Sequence, residues 1–526
     1  MTLSSIQYHS FMRLIPVFFT LLAIAACKPR DASQATPNDN PPPSAQVAAE
    51  EKPITAKADV KSSLLRINST QQSWNVWQPW EKSPPRKRRA LAAVVGPQQV
   101  LTTAELVTDA TYLEFESCDG TKFSPAKVIA ADYEANLALL GPASDTAGAE
   151  LFATLTPFEI SKPATIGSPL SIVQIEENGV ALETTGALQS VDLISNFLQG
   201  NNFLTYRVKA SMQDAAGSYS LPVLRDGKLA GVLFSYNAKD QLCDVASTDI
   251  ITRFLQEAAD GNYTGFPSLG ISIARTEDPS FRQWLKLTDD AGGIYIQTVR
   301  KKLAADLAGV KKGDVLLAAD GCTIDRRGYY DHPTYGKLLW GHLIRGTKSV
   351  GDTVTLSILR DGKPMEIKAT LSREPEESKL IPNHLFGKAP NFLVKGGLLF
   401  QELSRPLLEG FGEDWKTRAP LNLLDALENP EKYEESMDRV VLLTGVIPTP
   451  STVGYESLRN LIVTKVNGKP VKNLQGLIAA FDNVDADIHS IEFDEENLTI
   501  NLDEETSSAV DSQLLKRGLN RLSRAE

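Results

Sequence analysis

The sequence predicts a mainly β chain of several domains, opening with a barrel or sandwich of short strands. Three observations carry that expectation. From Ala90 to Phe234, short apolar runs alternate with turn residues. Asp226-Gly227 joins two apolar runs, and such a pair supplies the positive φ that tight hairpins need. The chain has 526 residues, more than one hydrophobic core organises, so two to four domains are expected.

Composition narrows the function classes. Hydrophobic residues make up 42% and charged residues 23%, as in an ordinary globular protein. The net charge is −11, which argues against nucleic acid as a partner, because sequence-independent phosphate binding needs a basic surface. The four Cys (Cys27, Cys118, Cys243, Cys322) form no Cys-x-x-Cys pair, and no Cys/His cluster has ligand spacing. No metal or cofactor is expected. Cys118 and Cys243 read as buried free thiols, with a disulfide between them as the alternative. Between Phe11 and Asp331 there is no His, so chemistry in the first half must proceed without imidazole.

In chain order, Leu14 to Ala26 is an apolar run behind Arg13, too short to span a bilayer. It reads as a signal peptide covering residues 1–27. Its end, Leu22-Ala23-Ile24-Ala25-Ala26-Cys27, resembles a bacterial lipobox and implies diacylation of Cys27 with a membrane anchor. A soluble secreted form with free Cys27 is the alternative. Residues 28–60 are rich in Pro, Ala, Gln and Asn and read as a disordered tether. Trp74, Trp77 and Trp80 precede the basic run Arg86-Lys87-Arg88-Arg89. The tryptophans are expected on the barrel or at an oligomer contact, and the basic run at a solvated edge. Strands are expected at Ala90–Val95, Gln99–Thr103, Leu113–Glu116, Ser124–Ala130 and Asn136–Leu140, with more through Val232–Phe234. An amphipathic helix at Ile250–Ala259 closes the unit.

Three stretches carry a resemblance. Val100-Leu101-Thr102-Thr103-Ala104-Glu105-Leu106-Val107 resembles the strand and loop bearing the catalytic His in HtrA/Deg-type serine proteases. Asn136-Leu137-Ala138-Leu139-Leu140 resembles their Asp-Leu-Ala-Leu-Leu strand, and Gly217-Ser218-Tyr219-Ser220-Leu221-Pro222 their nucleophile loop. Thr264 to Ile271 and the region C-terminal to it resemble the Deg branch best known from plants. The fold so implied is a trypsin-like double β-barrel at residues 61–260, followed by two PDZ-like α+β domains at 263–375 and 390–526.

At the matched positions the chemistry departs from the family: Glu105 stands for His, Asn136 for Asp and Tyr219 for Ser. A triad needs a nucleophile, a base near pKa 7 and a group orienting that base. A carboxylate lacks the two-nitrogen relay, and an amide does not stabilise an imidazolium. The two glycines expected after the nucleophile are Ser220 and Leu221, which resist unusual backbone angles. The competing reading is an active serine endopeptidase with a rearranged site built on Ser218 or Ser220.

Gly309-Val310-Lys311-Lys312-Gly313-Asp314-Val315-Leu316-Leu317 carries the PDZ resemblance of the next domain. PDZ domains add an extended peptide to a sheet edge and hold its terminal carboxylate on backbone N–H groups. Ser268, Leu269, Gly270 and Ile271 match that loop. His332 and His342, in an insertion from Arg326 to Ser349, read as surface or core residues. After a Pro/Glu-rich join at Glu374–Pro390, Gly397, Leu398, Leu399 and Phe400 match the loop of the second PDZ-like domain.

The functional expectation is a catalytically inactive envelope lipoprotein, facing the periplasm and anchored at the outer membrane. Its expected partners are unfolded proteins or C-terminal peptides, and the resemblance implies a homo-oligomer, trimeric or higher. A purely structural envelope protein with closed grooves is the third class.

Overall fold

The computed structural model describes residues 59–525, except 145, 199, 213–219, 289, 483–485 and 496–497. The signal segment, Cys27, nearly all of the tether, Ser218 and Tyr219 therefore lie outside the described residues.

Six strands close the first barrel: β1 (Leu64–Gln71), β2 (Arg86–Gly96), β3 (Gln99–Thr102), β4 (Ala110–Glu116), β5 (Phe123–Asp132) and β6 (Leu137–Pro142), in the order β1-β2-β3-β6-β5-β4. Leu65, Ile67, Val94, Val100 and Phe115 fill it. The expected strands are present, and β1 adds one. It pairs with β2 so that Asn68–Gln71 lie opposite Arg86–Arg89. The basic run is thus part of a paired strand rather than a loose edge. Glu116 is the cause: it lies on β4, which flanks β1 on its other side, and its buried carboxylate takes hydrogen bonds from Arg89 and Asn68. Burial disfavours that charge, yet Arg89, Asn68 and Arg66 hold its pKa below the usual carboxylate range.

The second barrel uses β7 (Pro169–Ile175), β8 (Ala181–Ile194), β9 (Phe203–Lys209), β10 (Leu221–Arg225), β11 (Lys228–Asn237) and β12 (Leu242–Ser247), ordered β10-β11-β12-β9-β8-β7. The β10–β11 hairpin turns at Asp226 (φ 52°) and Gly227 (φ 75°), as Asp-Gly predicts. The helix Thr248–Glu257 follows, capped by the Ser247 hydroxyl.

The next sheet holds β13 (Ile271–Ala274), β14 (Ile294–Val299), β15 (Val315–Ala319), β16 (Cys322–Thr323), and then, beyond a separate hairpin of β17 (Tyr329–His332) and β18 (Gly336–Leu339), β19 (Thr353–Arg360) and β20 (Lys363–Thr370). Its order is β13-β14-β15-β19-β20, with β16 on β15. The second barrel and this domain share one continuous core. Phe203 meets Phe266 edge-on at 5.0 Å, and the Tyr206 hydroxyl lies 3.2 Å from that of Tyr335. His342 is buried in the insertion, with its ring stacked 6.4 Å from Tyr330, and His332 stacks on Tyr335.

The join is a packed strap. Leu380 and Ile381 are buried, and Phe386 stands 4.3 Å from Tyr133 of the first barrel. The last domain contains β21 (Phe392–Lys395), β22 (Leu398–Glu402), β23 (Val441–Val446), β24 (Leu461–Val466), β25 (Lys469–Pro470), β26 (Ile488–Phe493), β27 (Thr499–Asp503) and β28 (Ser523–Arg524). They are ordered β27-β26-β24-β23-β22-β21-β28, with β25 on β24. The three tryptophans dock on this domain, not on the barrel. Trp77 meets Phe411 edge-on at 5.3 Å, Trp80 lies 5.9 Å from Phe392, and the Arg524 guanidinium sits 4.4 Å over Trp74. A Cβ at Gly410 would stand 3.0 Å from the Trp77 ring, so glycine permits the approach.

Cys118 and Cys243 are buried and free. Burial pushes their thiols up to about 11 and about 12, which suppresses the reactive thiolate.

Candidate functional site

Two of the sequence-matched positions, Glu105 and Asn136, meet; the third, Tyr219, lies outside the described residues. Glu105 lies on a single 3-10 turn, Ala104–Val107, directly after β3. Asn136 ends the β5–β6 turn at φ 56°, a left-handed conformation that Asn tolerates better than most residues. Its Oδ1 accepts the Glu105 backbone N–H at 2.9 Å. Ser220, beside Tyr219, sits 2.9 Å from the Thr102 hydroxyl and accepts the Thr103 N–H at 3.3 Å.

Each of these described groups already has a partner. The Glu105 carboxylate, about one third exposed, pairs with Arg88 at 2.7 Å. The buried Asn136 amide serves the main chain. The Ser220 side chain is buried between two threonines, and among the described residues no imidazole, carboxylate or lysine amine bonds to it. The described histidines lie in the first PDZ-like domain (His332, His342), the join (His384) and the last domain (His489).

Beneath this place runs a buried ionic network. Asp132, fully buried, takes the Arg373 guanidinium at 2.9 Å, the Tyr263 hydroxyl at 2.8 Å and the Ala135 N–H at 2.8 Å. Burial disfavours the Arg373 charge, but Asp132 and Glu134 outweigh it and raise its pKa. Burial and Asp132 together raise the Glu134 carboxyl. Tyr263 and Arg373 are the entrance and exit of the first PDZ-like domain, so the turn carrying Asn136 is tied to both.

The Ser268–Ile271 loop turns sharply at Gly270, whose N–H donates to the Ser268 hydroxyl oxygen at 3.1 Å. Gly270 has φ 74°, and a Cβ there would meet Leu303 at 2.7 Å. The Leu269 and Gly270 carbonyls accept from Ala305 and Arg300, each at 2.9 Å. In a trans peptide the next N–H points the other way, so the Ile271 N–H faces away from Arg300. β13 lies at the end of its sheet, paired with β14 on one side.

A cavity of about 660 Å³ opens on this loop. Leu269, Ile271, Leu303, Leu339, Trp340 and Ile344 give it apolar walls. Glu134, Asn201 and Arg373 come from the barrel side and the domain exit, and Trp415 and Lys416 from the last domain. Its volume falls within the range of about 300–1,000 Å³ common for ligand sites.

The second loop differs. Gly397 (φ 99°) leads into β22, which contains Leu398–Phe400 and pairs with β21 on one edge and β23 on the other. Leu398, Leu399 and Phe400 are buried. The Gly396 N–H is taken by the Asp511 carboxylate at 2.7 Å. Strand addition has no open edge at 397–400 in this arrangement, because a segment of the same chain occupies it.

Arg88, Asp132, Arg373 and Lys416 were not legible as site residues. Arg88 stands in a basic run with no periodic signal. The others meet only in three dimensions.

Sequence profiles of the PDZ domain match residues 267–371 and 381–519. Protease Do-like 2, chloroplastic, of Arabidopsis thaliana is 24% identical over 468 residues, 87% of this chain and 74% of that protein. Protease Do-like 4, mitochondrial, of the same plant is 24% identical over 420 residues, 79% of this chain and 76% of the other. The solved structure of the HtrA-type protease AlgW with a decapeptide aligns at 15% identity and TM-score 0.45, over 60% of this chain and 97% of that one.

Proposed function

The chain is a homologue of the HtrA/Deg proteases with a trypsin-like double barrel and two PDZ domains, and from that premise we propose that it holds peptides without cutting them. It grips exposed C-termini or unfolded chains and serves as a scaffold, holdase or regulator. The observation that carries this reading is the pairing at the triad positions. The Glu105 carboxylate is bound to Arg88 and the Asn136 amide to the Glu105 main chain, so neither side chain is placed as a base for a nucleophile. The open edge of β13 and the cavity on Ser268–Ile271 support the holding role. The lipobox at Cys27 supports an envelope location through a lipid anchor.

The test is incubation of the purified chain with reduced casein, alongside labelling by a serine-directed phosphonate and titration of C-terminal peptides. Peptide binding with neither cleavage nor labelling is expected. Cleavage abolished by Ser218→Ala or Ser220→Ala overturns the reading in favour of a rearranged endopeptidase.

A further inference from the structure

The short helix Pro279–Trp284, between β13 and β14, buries its arginine and exposes its tryptophan. Arg282 is buried and donates to the Thr276, Thr288 and Ala291 carbonyls at 3.2, 2.7 and 2.6 Å. Asp278 caps the helix by accepting the Phe281 N–H at 2.7 Å. Held from inside, the helix turns its aromatic rings outward. Trp284 is 67% exposed and stacks 5.9 Å from Phe281, which Tyr295 of β14 meets edge-on at 5.2 Å. An indole this exposed, on a helix fixed by a buried guanidinium, is a permanent feature of the surface.

A cavity of about 410 Å³ opens beside Trp284. Lys286, Lys311 and Lys312 line it, and all three are exposed. Among the described residues no carboxylate pairs with any of them, and the Lys286 ammonium donates only to the Asp361 carbonyl, at 3.4 Å. Two carboxylates line the same cavity. Asp314 is committed to Arg360, which it holds at 2.7 Å through both oxygens, so Asp361 alone remains against three ammonium groups. In a chain of net charge −11, this is a local surplus of positive charge beside an exposed aromatic ring. No residue lining this cavity lines the one on the Ser268–Ile271 loop, so the two sites are separate.

We propose that this face of the first PDZ domain docks on a bilayer of anionic lipid. Trp284 enters the interfacial layer, where an indole keeps its apolar body against the acyl boundary and its N–H among the headgroups. Lys286, Lys311 and Lys312 meet the lipid phosphates, and the cavity between them and Trp284 receives a headgroup. Lysine ammonium groups are mobile point charges, which suits a fluid surface better than one rigid partner. A soluble anion would gain nothing from the indole, and that selects the lipid surface as the occupant. Cys27, the proposed site of a lipid anchor, precedes the first described residue by about thirty positions, and a coil of that length spans about 30 Å. The anchor supplies proximity, and this face sets which side of the folded body meets the bilayer.

The test is flotation of the purified full chain, carrying Cys27→Ser so that no acyl chain contributes, with vesicles of phosphatidylcholine alone or mixed with phosphatidylglycerol. Residues 1–27 are the same in every variant, so differences between variants report this face. Binding to the mixed vesicles is expected to be the tighter and to weaken with salt. Lys311→Gln combined with Lys312→Gln, both exposed changes, is expected to cut it about thirtyfold, or about 2 kcal/mol. Lipid brominated on its acyl chains is expected to quench tryptophan emission in the parent and not in Trp284→Phe. Equal binding to both vesicles, or an anionic preference that the double lysine variant keeps, overturns the proposal. Quenching that persists in Trp284→Phe, or is absent from both, overturns the placement of the indole in the bilayer. Displacement from the vesicles by inorganic phosphate assigns the lysines to a soluble anion and overturns the lipid surface. None of these readouts uses casein or C-terminal peptides, so the peptide-holding reading stands or falls separately.

Discussion

Asn136 turns its side-chain oxygen onto the backbone N–H of Glu105 at 2.9 Å. Two positions that a hydrolytic relay would connect through a proton are here connected through the main chain. The link is independent of what side chain stands at 105, so it outlasts changes to the chemistry.

Restoring the three family residues is therefore not expected to restore cleavage. A His at 105 would stand beside the Arg88 guanidinium, which lowers its pKa and weakens it as a base. Leu221 is a buried residue of β10 and holds the following backbone in strand geometry. The triple variant Glu105→His, Asn136→Asp, Tyr219→Ser is expected to release peptides from casein no faster than the parent chain, measured by mass spectrometry.

Ser220 joins two threonines through its hydroxyl. Removing its hydroxyl leaves the buried Thr102 hydroxyl and Thr103 N–H short of a partner. Ser220→Ala is expected to cost about 1–3 kcal/mol in denaturant unfolding, with C-terminal peptide affinity unchanged.

Arg373, about a quarter exposed, pairs with the fully buried Asp132, so removing the guanidinium strands a buried charge. Arg373→Met is expected to destabilise the chain by about 3–5 kcal/mol. Adding Asp132→Asn is expected to recover part of that loss. A double-mutant cycle in urea reads both.

His342 supplies a pH dependence. Burial pushes its pKa down to about 4, with His332 lowering it further, so folding favours the neutral ring. The unfolded chain binds this proton at about pH 6.5 and the folded chain does not until about pH 4. The stabilisation is fully present above pH 6.5 and is lost as pH falls through that window, by up to about 3 kcal/mol. His342→Phe keeps a flat ring beside Tyr330 and is expected to flatten the decline in unfolding midpoint between pH 7 and pH 4.5.

Arg524 fastens the tryptophan segment. Its guanidinium donates to the Pro79 and Pro390 carbonyls at 3.1 Å and lies over Trp74 and Phe392. Arg524→Ala is expected to red-shift the tryptophan emission and to open residues 72–85 to limited proteolysis, with the casein result unchanged.

Local patterns carried the barrel strands and the Asp226-Gly227 hairpin, because turn residues and alternating burial act over a few positions; the two PDZ domains were legible only through their resemblance to a family. The strand β1 has no such pattern, because Asn68, Ser69, Thr70 and Gln71 make its second half polar. Its place is set by partners on β2 and β4 rather than by its own composition. Glu105 and Asn136 were legible as matched positions because each sits beside a recognisable strand. The partner of Glu105 was not, since the Arg88–Glu105 pair depends on how β2 lies beside the turn after β3. The covering of β22 by β21 and the approach of Lys416 to the cavity were hidden for the same reason: register and domain packing have no local signature.

The docking of Trp74, Trp77 and Trp80 on the last domain sets a schedule for biogenesis. These rings emerge early in synthesis, yet Phe392, Phe411 and Arg524 follow hundreds of residues later, and the Arg524–Pro79 bond spans 445 positions. Until the final strand is made, the segment has no surface to cover it. A nascent chain thus carries three unsheltered indoles through most of its synthesis, and its folding is complete only when residues 74–80 meet the last strand.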